Sequence, residues 1–297
     1  MTHVEVGRRK RVLFTVGILA ATAGLAAAGT TLVLGPVREA TSAPPESFSA
    51  AGVDGDHIEV VVDVLDVSPV SSTLDAQVWV IPHGKYAATD ESLAREIDLQ
   101  TNTSSAQVLT FAPGLLYETK NQTIALEGDA TKYPFDAYES TFSASAVAEG
   151  SDVPIVMTVR DMSHSWSTVA VLQSAATSAV TVEFTATRSP AVIAFALFQL
   201  LIIIALAAIV AIVTLLHVTS HLAPEFGLLG WFAALMFALP AIRNTLPGTP
   251  SVGVDADFYV YFWALFIVAG CTIITAVRWT SSKFAAERTA ENAQAKT

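Results

Sequence analysis

An uncharged stretch of 27 residues, from Pro190 to Leu216, constrains this chain more than any other feature. Its only strongly polar side chain is Gln199. A helix rises about 1.5 Å per residue, and a bilayer core about 30 Å thick needs about 20 apolar residues. The stretch is therefore long enough to span a membrane as a helix. Two more apolar runs, 227–242 and 258–278, follow it closely, so the sequence predicts three membrane-spanning helices in this region.

Charge is distributed unevenly along the 297 residues. Between Gly35 and Ser189 there are 21 acidic residues against 7 Lys and Arg, whereas the rest of the chain has 6 acidic and 9 basic residues. An acidic segment with short basic flanks indicates a translocated domain held by membrane helices. The acidity argues against nucleic acid as a partner, because nucleic acid binding needs positive charge. The expected partners are the lipid bilayer and either a cell-envelope protein or further copies of the chain.

The N-terminal region has the pattern of a membrane anchor. Four basic residues, Arg8–Arg11, precede the uncharged segment 12–35. A cleaved signal peptide has the same basic start, but its apolar core has only about 7–15 residues. The sequence therefore predicts a retained signal anchor at 12–35, with cleavage as the alternative. Ala20, Gly24 and Ala28 would give this helix a small face that a C-terminal helix or a second copy could approach closely.

The region between the anchor and the C-terminal helices contains two different patterns. Residues 36–56 are rich in Pro, Ala, Ser and Gly without apolar periodicity, which indicates a linker. From His57 onward, nine short runs such as HIEVVVDVLDV alternate in polarity between turn residues, which indicates an antiparallel β-sandwich or barrel. The predicted fold class is membrane α+β. It combines an all-β, sandwich-like extracytoplasmic domain with four transmembrane helices, one N-terminal and three C-terminal.

Basic residues determine the predicted topology, because cytoplasmic segments carry an excess of Lys and Arg. Arg8–Arg11 place the N-terminus inside, and Arg278, Lys283 and Arg288 place the C-terminus inside. Four crossings satisfy both ends, so a multi-pass protein of the cell membrane is expected. The predicted order is cytoplasmic N-terminus 1–11, helix 12–35, linker 36–56, extracytoplasmic domain 57–189, helix 190–216, helix 227–242, external loop 243–257, helix 258–278 and cytoplasmic tail 279–297.

No pattern in the sequence points to catalysis, a cofactor or a metal site. The predicted β domain contains His57, His83 and His164, but it has no Cys and no closely spaced His pair. Nucleotide-binding and serine-nucleophile motifs are absent from the sequence. The chain is therefore expected not to be an enzyme, and neither a cofactor nor a metal is predicted. The single cysteine, Cys271, excludes an intramolecular disulfide.

One stretch of the β region, KYPFDAY at Lys132–Tyr138, combines aromatic side chains with a proline-fixed turn. It fits a packed β-turn in which Asp136 accepts backbone hydrogen bonds. It also fits a loop directed at the membrane, with Tyr133 and Phe135 resting on helix ends. The loop 243–257 is similarly stiff, with two prolines and two glycines.

Arg243 begins that loop, at the predicted end of a membrane helix. A long basic side chain at this position can extend to the membrane interface. It can also form an ion pair with Asp255, with Asp257 or with a carboxylate of the predicted β domain, and the sequence leaves all of these roles open.

Three motifs together carry a family resemblance: YPFD in the β region, LPAIRNTLPGTPSVG between two membrane helices, and FYVYFWALF at the start of the last helix. With the anchor and the acidic domain, they resemble the actinobacterial membrane family known only as domain of unknown function number four-four-three-six. The resemblance extends from about His57 to Trp279. It implies family membership and a membrane topology, but no activity, substrate or site.

A remoter similarity is to pentameric ligand-gated channels, in which a β-sandwich precedes the membrane. The elements that resemble them are Arg188-Ser-Pro190, Pro134-Phe135-Asp136 and Leu246–Pro250. The sequence departs from that pattern because it has an extra preceding helix, no fourth channel helix, no disulfide loop and no polar rings on the would-be pore helix.

The channel comparison implies that Asp136 and Arg188 pair and so couple the β domain to the membrane helices. The complete candidate set for this coupling is Tyr133, Pro134, Phe135, Asp136, Arg188 and Arg243. The sequence favours an interaction or structural module of the cell envelope. The alternative is a receptor or channel-like oligomer.

Overall fold

The computed structural model describes residues 45–294, except 51, 52, 54, 90, 91, 106, 116, 117 and 220–224. The predicted segments 1–11 and 12–35, and most of the predicted linker, lie outside the described residues. Contacts divide the described chain into two units. The β unit comprises the described residues up to Ala130 together with Phe135–Ala194, and the helical unit comprises Thr131–Pro134 and the described residues from Phe195 onward.

The β unit is built from strands with the alternating burial that its sequence predicts. In β10 and β14, every second side chain is buried and the intervening ones are exposed or half-buried. The described strands are β1 Glu46–Ser49, β2 Ile58–Ser68, β3 Thr73–Pro82, β4 Ala87–Thr89, β5 Ser92–Leu93, β6 Ile97–Thr101, β7 Val108–Phe111, β8 Lys120–Ala125, β9 Glu127–Gly128, β10 Ala137–Ala148, β11 Ser151–Val153, β12 Ile155–Asp161, β13 Trp166–Ala176 and β14 Ala179–Arg188.

Two large sheets share one apolar core. One has the strand order β1-β12-β2-β3-β8, and the other has the order β13-β14-β10-β6-β7, with β9 and β11 also paired to β10. The core cluster takes residues from both sheets, including Val62 and Met157 from one and Phe142 and Phe184 from the other. The β-rich, sandwich-like domain predicted from the alternating pattern is thus present.

Two details of the predicted β domain are wrong. β12 pairs with β2 in parallel, so the sheets are not purely antiparallel. Both strands are buried along most of their length, as is usual for parallel pairs. The alternating sequence pattern predicts a strand but not the direction in which it pairs. In addition, β1 lies inside the predicted linker 36–56 and pairs with β12. Its sequence ESFS offers only Phe48 to the core, which is too little for a recognisable pattern.

The helical unit contains three helices that are long and apolar enough to cross a membrane. They are α1 Pro190–Thr219, α2 Phe226–Asn244 and α3 Phe262–Gln294, and a π-helical turn at Asp257–Tyr261 leads into α3. Buried residues from all three helices, among them Ile203, Phe232 and Val268, form a common cluster.

The third helix is longer than the sequence predicts. We expected it to end at 278 and to be followed by a tail at 279–297, but α3 continues to Gln294. The additional stretch, TSSKFAAERTAENAQ, is polar and therefore falls outside an apolar window. It is nevertheless rich in Ala, Glu, Lys and Arg, which are strong helix formers.

Candidate functional site: two buried ion pairs

Asp136 and Arg188 form a bidentate ion pair inside the β unit. Arg188 Nε donates to Asp136 Oδ1 at 2.7 Å, and Nη2 donates to Oδ2 at 3.0 Å. The two side chains are only 1% and 3% exposed, respectively. The pairing expected from the sequence is therefore present, and it is almost completely removed from solvent.

Strand register positions this pair. Ala137 at the start of β10 lies opposite Thr187, so Asp136 comes just before β10 beside Arg188, the last residue of β14. Arg188 also lies opposite Trp166, the first residue of β13. Its Cζ is 4.5 Å from the centroid of the Trp166 ring. The guanidinium therefore has a carboxylate in its plane and an aromatic ring over its face, which are the two contacts it prefers.

Tyr138 completes this cluster. Its hydroxyl donates to Asp136 Oδ2 at 3.0 Å, and its ring meets the Trp166 ring edge-on at a centroid distance of 5.6 Å. Burial raises the pKa of the Tyr138 phenol well above its usual range, and the negative charge of Asp136 adds to this effect. The phenol therefore remains protonated, and it remains a hydrogen-bond donor, over the whole physiological pH range.

We expect Tyr138→Phe to change how stability depends on alkaline pH. Tyrosine in an unfolded chain loses its proton near pH 10. Because the folded pKa is raised, the stability linked to this proton is complete below about pH 10 and falls as the pH rises toward the folded value. Tyr138→Phe should cost about 1 kcal/mol at neutral pH through the lost hydrogen bond. The difference between the two proteins should then shrink above pH 10. Urea unfolding of the full chain at several pH values tests this, and a constant difference would contradict it.

Tyr133 and Pro134 belong to the helical unit, although they lie between β9 and β10 in sequence. The Tyr133 side chain is 1% exposed and lies in an apolar cluster with Ala196, Leu200 and Leu246. Its hydroxyl donates to the Pro247 carbonyl oxygen at 3.0 Å. A tyrosine from the YPFD stretch thus holds the loop that follows α2.

Arg243 organises the same loop from inside. Nε and Nη2 donate to Asp257 Oδ1 and Oδ2 at 2.9 and 2.7 Å. Nη1 and Nη2 also donate to the carbonyl oxygens of Pro250 and Ser251 at 2.9 and 2.8 Å, and Asp257 accepts from the Gly253 N–H. Among the roles that the sequence left open for Arg243, the structure shows the ion pair with Asp257. Both side chains of this pair are buried.

Phe135 differs from the rest of the candidate set because its side chain is 64% exposed.

The sequence also missed important partners. Trp166 gave no signal, because one tryptophan in an alternating strand does not indicate what its ring faces. No partner was predicted for Gln199, the only strongly polar residue of 190–216, yet its Nε2 donates to the Thr245 carbonyl and hydroxyl oxygens, which links α1 to the loop.

The family comparisons bear on both units. Residues 48–186 match the model described as domain of unknown function DUF4436, and residues 188–282 match the one described as domain of unknown function DUF8686. None of the curated proteins searched matches the chain.

These matches confirm the resemblance noted in the sequence and correct its extent. The sequence assigned 57–279 to one family, whereas two family models divide that region at residue 187. Arg188 is therefore the first residue of the DUF8686 match, although its side chain is held inside the β unit by Asp136 of the DUF4436 match.

Proposed function

We propose that this chain is a multi-pass protein of the cell membrane that presents its β unit outside the cytoplasm as an interaction module of the cell envelope. Both termini would be cytoplasmic. Three helices suited to crossing a membrane support this proposal. The basic clusters at Arg8–Arg11 and beyond Trp279 support the orientation, since such clusters remain on the cytoplasmic side. The proposed role is binding rather than catalysis.

The charge of the β unit favours a basic partner. Its described basic side chains at Lys85, Arg95, Lys120, Arg160 and Arg188 all pair with carboxylates. The excess of 21 acidic over 7 basic residues between Gly35 and Ser189 therefore leaves the surface negative. An envelope protein with a basic surface fits such a domain, and its association should weaken as salt screens the attraction.

The observation that carries the proposal is the direct succession of the last strand, β14, and the helix α1. β14 ends at Arg188 and α1 begins at Pro190, so only Ser189 separates them. Ser189 is also held, because its N–H donates to the Ser165 carbonyl oxygen at 3.0 Å. A domain that needed only tethering would tolerate a flexible linker, whereas a single residue separates the last strand from α1 here.

The Asp136–Arg188 pair lies inside the β unit, close in sequence to two of the places where the chain changes units. The chain enters the helical unit at Thr131–Pro134 and returns to the β unit at Phe135, one residue before Asp136. It leaves again between Ala194 and Phe195, within the first turns of α1 and six residues after Arg188. We therefore assign the pair a coupling role: binding to the β unit would be transmitted to the helices through these two crossings.

Cysteine accessibility tests the proposed orientation. In a Cys271→Ala background, we expect Ser174→Cys, on an exposed part of β13, to react with a membrane-impermeant maleimide in intact cells. Ser281→Cys, an exposed position in the cytoplasmic part of α3, should react only after the cells are lysed. The reverse labelling pattern would contradict the proposal.

A receptor or channel-like oligomer is the competing hypothesis. It predicts a ring of copies after gentle detergent extraction and ion conductance in liposomes. A small complex without conductance, together with salt-sensitive capture of a basic envelope protein, is the result expected for an interaction module.

A further inference from the structure

An uncovered seam runs along α3. Trp263, Phe266, Gly270, Ile273, Val277 and Phe284 recur at intervals of three, four or seven residues, and such residues share one face of a helix. We call these six residues the α3 seam. Its five large side chains are 59–69% exposed. The opposite face, with Ala264 and Val268, is buried in the bundle, so the seam is the side of α3 that the described helices leave open.

At Gly270, the α3 seam has no side chain. A Cβ atom added at Gly270 would have no neighbour within 4 Å, so no contact in the described chain requires a glycine there. Glycine in a helix interior costs about 1 kcal/mol relative to alanine. In membrane helices, small residues at exposed positions allow another helix to approach closely.

Beyond Phe284, the line of the seam becomes acidic. Glu287 and Glu291 continue the same spacing, and both are exposed. Lys283 and Arg288 flank this line on either side, and Lys283 lies 5.9 Å from the centroid of the Trp279 ring. Whatever covers the seam should therefore have an apolar span followed by positive charge at its cytoplasmic end.

The chain contains a segment with these properties. Residues 12–35 are uncharged for 24 residues and could span about 36 Å as a helix. Arg8–Arg11 immediately precede them, and Ala20, Gly24 and Ala28 provide small side chains opposite a bulky seam. We propose that segment 12–35 packs antiparallel on the α3 seam, which brings Arg8–Arg11 to the end of α3 that carries Glu287. This inference takes its membrane orientation from the proposed function.

Charge distinguishes this occupant from a second copy of α3. Two copies in one membrane run in the same direction, so a seam-to-seam dimer would place Glu287 and Glu291 beside their equivalents. Like charges at that distance repel. The N-terminal segment runs in the opposite direction and brings four positive charges to the same end.

Helix geometry predicts which residues meet. Residue 35 and Phe258 are the predicted outer ends of the two helices, and each residue along a helix adds about 1.5 Å of depth below that end. Ala28 and Phe266 then both lie about 10–12 Å below the outer end. Ala20 and Ile273 both lie about 22 Å below it. A disulfide requires Cα atoms within about 7 Å. Cysteines at matched depths can therefore form a disulfide. Cysteines at unmatched depths, Ala28 with Ile273 or Ala20 with Phe266, cannot.

The test uses four full-length variants in membranes, all in the Cys271→Ala background. We expect Ala28→Cys with Phe266→Cys, and Ala20→Cys with Ile273→Cys, to form intramolecular disulfides on mild oxidation. After oxidation and denaturation, each of these variants should have no free thiol left to react with maleimide-polyethylene glycol. The swapped pairs, Ala28→Cys with Ile273→Cys and Ala20→Cys with Phe266→Cys, should retain both thiols.

The other outcomes overturn the inference in distinguishable ways. Disulfide-linked dimers of a Phe266→Cys single variant, oxidised alongside the four double variants, would assign the seam to a second copy. Free thiols in all four double variants would mean that lipid covers the seam. Disulfides in the swapped pairs only would mean that the segment runs parallel to α3, which would also contradict the proposed membrane orientation. Because two matched pairs are used, one variant that fails to fold does not decide the result.

Discussion

Asp136→Asn should destabilise the β unit by about 3–5 kcal/mol, because it leaves the Arg188 guanidinium buried and without its counter-charge. The size of this effect follows from burial. Both side chains are almost fully removed from water, and the Trp166 ring covers one face of the guanidinium. Asparagine preserves the shape of the site but not its charge. Urea unfolding of the full chain in detergent micelles, followed by the β-sheet circular dichroism signal, measures the loss.

Glu149→Gln is the matched control for this prediction. It removes the charge from another arginine–carboxylate pair in the same unit, Arg95–Glu149, but the Glu149 side chain is 72% exposed. An exposed pair contributes about 0–1 kcal/mol. If both substitutions cost the same small amount, burial does not determine the strength of the Asp136–Arg188 pair.

Removing the whole cluster separates stability from the proposed coupling role. A variant with Asp136→Leu, Tyr138→Phe and Arg188→Met leaves no buried charge and no orphaned phenol. Replacing a buried ion pair by apolar residues is often neutral or stabilising. We therefore expect this variant to recover most of the stability lost in Asp136→Asn. If the pair couples the two units, binding at the β unit should no longer change the labelling of cysteines in the helical unit, although the protein remains folded.

The general architecture was accessible from the sequence because two strong signals carry it. Uninterrupted apolar runs specify the membrane helices, and alternation specifies strands such as β10 and β14, whose inward side chains form the core. Features without a repeating pattern were missed. β1 contributes only Phe48, and the polar C-terminal part of α3 is helical through the propensity of its residues.

The candidate site was accessible only in part, for a related reason. Arg188 and Arg243 are conspicuous as charged residues at the ends of apolar segments, and Asp136 was selected through the channel resemblance. Asp257 could be named as one of several possible partners for Arg243. Apolar and aromatic partners are not conspicuous among so many others. The Trp166 ring over Arg188 and the placement of Tyr133 in the helical unit depend on strand register and chain path, which the local sequence does not contain.

Arg243→Met should have an effect comparable to that of Asp136→Asn, but in the loop between α2 and α3. It removes the partner of Asp257, a side chain with no solvent exposure, at a cost of about 3–5 kcal/mol. It also leaves the carbonyl oxygens of Pro250 and Ser251 without their donor. We expect hydrogen exchange of the backbone amides at 245–256 to increase strongly, because this one side chain holds both ends of the loop.

Two further substitutions define what Arg243 contributes. Arg243→Lys keeps the positive charge but cannot reach two carboxylate oxygens and two carbonyl oxygens at once, so it should recover only part of the protection. Asp255→Asn changes an exposed carboxylate two residues from Asp257 and should leave exchange unchanged. If Arg243→Lys behaves like the wild-type chain, charge alone holds the loop. If Arg243→Met also leaves exchange unchanged, the loop is held by Tyr133 and its apolar cluster instead, because that contact approaches the same loop through Pro247 without any charge.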